Sequence, residues 1–135
     1  MKKIVYYITD HGKGHATRSV AIIRELQKLG IDVIVRNSNC KELIQNSIPG
    51  INIISSRTDV GLVVKKDGIS VDKDKSKYEM NDWIQSLNKN ARKEKERIIA
   101  IKPDLIISDI SAMPFLVAKT LNIPSMAISN FSWYD

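Results

Sequence analysis

A chain of 135 residues, 43% hydrophobic and 27% charged, has the length and composition of one globular domain and can bury roughly two-thirds of its unfolded surface. Lysine and arginine outnumber aspartate and glutamate 21 to 15, for a net charge of +6, which favours anionic partners such as phosphorylated metabolites or an anionic membrane face. The densest basic group, "NARKEKERI", also holds glutamates and has no interleaved aromatics, which argues against nucleic acid and for the solvated face of a helix.

The N-terminal run "KIVYYIT" is short, β-branched and aromatic, and reads as a buried strand over 3–9. Asp10 cuts it too early for a signal peptide, and no later run approaches the ~20 apolar residues of a membrane span. "HATRSVAIIRELQKL", 15–29, reads as a helix: Ala16, Val20 and Ile23 share one stripe, Ile22, Leu26 and Leu29 an adjoining one, and Gly30 stops it. "IDVIVR" is a second strand. "NCKELIQNS" is a short helix with Asn39 and Glu42 at capping-box spacing. Its Cys40 is the single cysteine, which excludes an internal disulfide or cysteine metal site and points to a cytoplasmic protein. "INIIS" is a third strand.

Residues 56–77 are charged, punctuated by glycine and without period, and read as a long loop with a hairpin around Asp67-Gly68. Ser76 and Glu79 form a capping box that starts the next helix, with Met80, Trp83, Ile84, Leu87, Ala91 and Ile98 on its apolar stripe and Pro103 at its end. "DLIISD" is a fourth strand, "AMPFLVAKTL" a helix with Pro114 in its first turn, and "IPSMAIS" a fifth strand before the final "NFSWYD".

Strands alternating with helices predict an α/β domain over 1–135: a doubly wound, Rossmann-like parallel sheet of about five strands in the order 3-2-1-4-5, flanked by helices. Ligands of such sheets bind at the carboxyl ends of the strands, where strands 1 and 4 diverge. "DHGKGHATRS" leaves strand 1 and "SDISAMP" leaves strand 4, so the topology brings these segments together.

The first of them admits three readings. Gly12-x-Gly14 begins a dinucleotide fingerprint, but Thr17 replaces its third glycine. Strand 2 ends in Arg36 rather than an acid, which suits only a 2′-phosphate. Alternatively, Gly12 and Gly14 let backbone approach an anion at the helix N-terminus, with Arg18 adding charge. Third, His15 at the helix start is a general base, oriented by Asp109 from the neighbouring strand. No metal site and no cofactor are expected.

"DHGKGHATRSVAIIREL" resembles the N-terminal glycine-rich loop and first helix of GT-B glycosyltransferases, in the branch that includes the lipid-linked N-acetylglucosaminyltransferase of peptidoglycan synthesis and the UDP-glycosyltransferases. "PDLIISDISAMPFLVAKTLNIPSMAISNFSWYD" resembles the later part of the same half. After the histidine the chain departs from the peptidoglycan branch: Ala16-Thr17-Arg18 stand where that branch has a proline. The resemblance implies an acceptor-side half of a glycosyltransferase, with His15 as acceptor base and Asp109 behind it. Gly12, Gly14, Arg18 and Ser111 would then meet acceptor or phosphate, although Ser111 also suits a helix N-cap. Partners implied are a nucleotide-sugar donor, an acceptor, and a donor-binding half that follows in sequence or sits on a separate chain; without it the chain is expected to be inactive. "FSWYD" and Trp83 are expected as uncovered aromatic surface, which would favour a homodimer, and residues 130–133 as cleft wall. A non-catalytic acceptor-recruiting module and a nucleotide-cofactor domain of a redox enzyme are the alternatives.

Overall fold

The computed structural model describes residues 1–129. Five parallel strands form one sheet: β1 (Lys3–Ile8), β2 (Asp32–Arg36), β3 (Asn52–Ile54), β4 (Leu105–Asp109) and β5 (Ser125–Ile128), in the order β3-β2-β1-β4-β5. Four helices connect them: α1 (Lys13–Lys28), α2 (Lys41–Ser47), α3 (Lys73–Ile101) and α4 (Met113–Leu121). This is the Rossmann-like order expected from the alternation of elements.

The two faces follow from the period of two along β1. Ile4, Tyr6 and Ile8 point to one side, where they pack with Ala16, Val20 and Ile23 of α1 and Ile44 of α2. Val5 and Tyr7 point to the other, against Ile98 of α3 and Val117 and Ala118 of α4. A sheet covered on both faces needs apolar residues at consecutive positions, which is why β1 reads as an unbroken apolar run.

α1 begins at Lys13, two residues before the expected start, because Gly12 turns the chain with φ 89°, a conformation that costs glycine little. α2 is capped by Cys40 rather than Asn39: the Asn37 side chain accepts a 2.7 Å bond from the Cys40 N–H, and the backbone of Asn39 donates to Asp10. α3 also starts early. Asp72 caps it, accepting from the Lys75 N–H at 3.0 Å, while Ser76 lies inside the helix and its hydroxyl accepts from the Val63 N–H at 2.8 Å. The long segment before α3 does contain a hairpin, with Val64 and Val71 bridged antiparallel and the Lys65 N–H donating to Ser70 O at 2.8 Å.

Two exposure expectations are corrected. Trp83 is 8% exposed rather than surface-lying, and the Arg57 guanidinium stands over its ring, 5.2 Å from the centroid. Glu94, in the basic run read as a solvated face, is 3% exposed. It receives Arg36 Nε at 2.7 Å and Nη2 at 2.6 Å, and Tyr7 Oη at 2.7 Å. The cause is electrostatic: Arg36, fully buried at the end of β2, must be paired to be tolerated there. That pairing also removes Arg36 as a partner for a cofactor 2′-phosphate. "FSWYD" and residues 130–133 lie outside the described residues.

Candidate functional site at the carboxyl edge of the sheet

β1 and β4 are neighbours in register, Ile8 opposite Asp109. The helix that follows β1 therefore starts directly over the end of β4. His15 occupies its first turn, and Arg18 and Ser19 lie one turn further, on the same face.

Asp109 is the centre of the arrangement. Its side chain is fully buried. Oδ1 lies 2.9 Å from His15 Nδ1 and accepts from Arg18 Nη2 at 2.8 Å; Oδ2 accepts from Arg18 Nε at 3.2 Å, Arg18 Nη2 at 2.9 Å and Ser19 Oγ at 3.2 Å. An ionised carboxylate only accepts, so the proton in the 2.9 Å contact belongs to Nδ1. Arg18 Nη2, 3.3 Å from the same nitrogen, is a second donor aimed at the carboxylate rather than a partner of the ring. With Nδ1 as the donor, the neutral form of the ring carries its lone pair on Nε2, and the imidazole remains one-quarter exposed, at 26%. The arrangement thus selects one tautomer of the neutral imidazole and leaves Nε2 free of protein partners among the described residues.

Beneath it, the Tyr6 hydroxyl is buried beside Ser19, and burial raises its pKa. Directly after Asp109, Ile110 is held at φ 73°, a left-handed conformation that strains a β-branched residue by ~1–3 kcal/mol and is found mostly where function demands it.

The remaining sequence-predicted residues divide. Gly12 makes the turn, and Gly14 sits in the first turn of α1 with open space where a Cβ would be. Arg18 lies at the site, but its guanidinium is directed at Asp109. Ser111 is 1% exposed and donates to Thr58 Oγ1 at 3.2 Å; the N-cap of α4 is Ala112, so the capping role expected for Ser111 is not the one it has. Sequence reasoning missed Ser19 and the Asp109-directed role of Arg18, although the spacing of three between His15 and Arg18 on a helix was the signal.

A second histidine–aspartate pair lies beside the first. His11 Nε2 is 3.5 Å from Asp59 Oδ1, and Thr9 Oγ1 donates to Asp59 Oδ2. Two hollows meet at this wall. One, of about 250 Å³, is mixed, with Asp10, His11, Asn39 and Arg57 on one side and Val60, Leu62 and Val63 on the other. The other, of about 520 Å³, is mainly apolar, with Met80, Trp83, Leu87 and Met113 around Ser111. Asp59 and Val60 belong to both. Among the described residues, no three histidine, cysteine, aspartate or glutamate side chains come together as a metal would require. No helix among them is long and apolar enough to cross a membrane.

Residues 2–134 match the family model "Glycosyl transferase family 1". The chain is 33% identical over 132 residues to an L-arabinokinase of Arabidopsis thaliana, covering 95% of this chain and 12% of that protein. It is 29% identical over 136 residues to an uncharacterized glycosyltransferase of Methanosarcina mazei, covering 96% of this chain and 33% of the relative. In three dimensions it is similar to MurG of Acinetobacter baumannii, with a TM-score of 0.64 at 17% identity, over 96% of this chain and 35% of that one. The chain therefore spans about a third or less of the length of these relatives. The match of nearly every residue to one family model, on a sheet of the GT-B type, leads to one conclusion: this chain belongs to glycosyl transferase family 1.

Proposed function

We propose that this chain is the acceptor-side half of a glycosyltransferase, in which His15 Nε2 removes the proton from an acceptor hydroxyl as that oxygen attacks the anomeric carbon of a nucleotide sugar. The bond from anomeric carbon to the departing diphosphate breaks as the new glycosidic bond forms, and the proton remains on the imidazole. Asp109 holds Nδ1–H and sits against the positive charge the ring acquires. Arg18 and Ser19 position that carboxylate. Gly12 and Gly14 keep the loop in front of the histidine low enough for acceptor or phosphate to approach. The donor would be held by a second domain or a partner chain, a reading supported by the third-length coverage of the relatives.

The observation that carries the proposal is the 2.9 Å contact between His15 Nδ1 and a fully buried Asp109, which selects the tautomer a base requires. A second reading draws on the Arg18 contacts. A guanidinium that takes both carboxylate oxygens is also how a purely structural ion pair looks, and it offsets part of the charge that would favour imidazolium. In that case the chain binds and presents an acceptor without supplying the base. Replacing His15 by Ala in the protein that carries the donor-binding half separates the two. A base predicts a fall in kcat of ~100-fold or more; a binding module predicts little change in kcat.

A further inference from the structure

His11 is conspicuous in the sequence, yet the proposed chemistry does not use it. We infer that His11 and Asp59 form a hydroxyl-recognition site for a single sugar or polyol ring, bound in the smaller hollow that both residues line. Assigning that ring to the acceptor rests on the glycosyl-transfer reading above.

Three observations point there. First, Asp59 is an incompletely used carboxylate. Its side chain is 11% exposed, Oδ2 is taken by Thr9, and Oδ1 is buried without a hydrogen-bond partner. A buried unsatisfied carboxylate oxygen is costly, and a ligand that brings it a donor offsets that cost. Second, His11 Nε2 stands 3.5 Å from that oxygen, too far and too poorly aligned for a direct bond. A hydroxyl is the group that answers both at once, accepting from Nε2–H and donating to Oδ1. Third, the histidine is seated for this purpose. Its ring lies on Gly61, where an added Cβ would be 2.5 Å from the imidazole. Only glycine admits the ring there.

The rest of the hollow specifies the ligand class. Asp10 is occupied by the backbone N–H groups of Ser38 and Asn39 and by the Ser38 hydroxyl, and Arg57 by Glu79 at 3.0 Å. The Asn39 amide has no partner among the described residues and supplies both a donor and an acceptor to a second hydroxyl. Asp10, Asp59 and Glu79 face the one guanidinium of Arg57 in the lining, an excess of carboxylate that disfavours an anion and suits a ligand whose hydroxyls donate. A volume of about 250 Å³ is below the ~300–1,000 Å³ of drug-sized pockets and suits one small ring.

The test is a titration of the chain with D-glucose, D-galactose and N-acetyl-D-glucosamine, and with cyclohexanol as a ring bearing one hydroxyl, followed by NMR at the His11 ring and the Gly61 amide. At least one sugar should shift both signals and saturate in the millimolar range, with cyclohexanol silent. Asp59→Asn, His11→Gln and Gly61→Ala should each weaken binding ~10-fold or more, the scale of a lost hydrogen bond to a charged group. If Asp59→Asn does not fold, the other two variants decide, since both residues lie outside the core. No shift from any sugar at up to ~0.1 M overturns the inference. So does equal binding of cyclohexanol, or sugar binding that survives all three changes. Sugar binding with the stated losses, in a protein whose donor-containing form transfers nothing, keeps this site and refutes glycosyl transfer; transfer without sugar binding does the reverse.

Discussion

The histidines of the His15–Asp109 and His11–Asp59 pairs lie four residues apart, one in the first turn of α1 and one just before it, and the pairs share a chemical type, yet they are built in opposite ways. Asp109 ends a central strand, is fully buried, and is saturated by donors from His15, Arg18 and Ser19. Asp59 sits in irregular chain after β3, holds Thr9 with one oxygen, and leaves the other unused. In the first pair the histidine's partner is finished and only the far ring nitrogen is available. In the second, the carboxylate and the ring nitrogen facing it are both unfinished. A completed carboxylate orients; an incomplete one recruits. Function can thus be read from which valences the protein leaves open, more than from which residue types it brings together.

The largest expected effect is on turnover. With the donor-binding half present, His15→Ala should lower kcat ~100-fold or more, whereas His11→Ala should act mainly on KM for the acceptor. Equal kcat losses for the two variants would erase the distinction between the pairs. Stability comes next. Asp109→Asn removes a charge that meets several donors and should destabilise by about 2–3 kcal/mol in a denaturant titration. Asp59→Asn removes a charge half of which is unsatisfied and should cost under about 1 kcal/mol. A reversed order would show that Asp59, not Asp109, is the structural carboxylate.

A smaller effect separates stability from binding within the loop itself. Gly14 lies in a helical turn with open space at its Cβ position, so Gly14→Ala should stabilise by ~0.5–1 kcal/mol. If the loop faces a ligand, the same change raises KM. A variant that is more stable and fully active would show that the space in front of Gly14 is not used. The smallest effect is chemical. Burial, with Asp10 nearby, raises the Cys40 pKa, and its Sγ lies 4.0 Å from Gly12 O. The thiolate therefore forms only at higher pH than in a free cysteine, and alkylation at pH 8 should be slower than for an unfolded control. Labelling as fast as the control would show that the turn at Gly12, which covers the thiol, opens readily.

Much of this was legible in the sequence, and the reasons differ by element. The strand runs are short and β-branched, and their alternation with helices fixes the sheet order, which sets β1 beside β4 and so brings His15 within reach of Asp109. The start of α3 was misread because Asp72 and Ser76 are both good caps four residues apart; the choice depends on Val63, which claims the Ser76 hydroxyl from outside the helix. Glu94 is indistinguishable by local pattern from the glutamate two residues on. Only Arg36, 58 positions away, makes it an interior residue. Asp59 carries no periodic signal at all, so its meeting with His11 had no trace in the sequence.

The Arg36–Glu94 pair has a mechanical consequence. Apart from Ile98 close by, the buried residues of α3 are few, and Glu94 lies near its C-terminal end, whereas the hairpin is joined to its N-terminus. At 1.5 Å per residue the stretch from Lys73 to Glu94 is a rod about 30 Å long. Sliding it by one residue would strand two opposite charges in the interior, so the pair sets the register of the rod along its axis. Trp83 and Ser76, buried in the other half of the helix, hold that end against the segment that carries the hairpin.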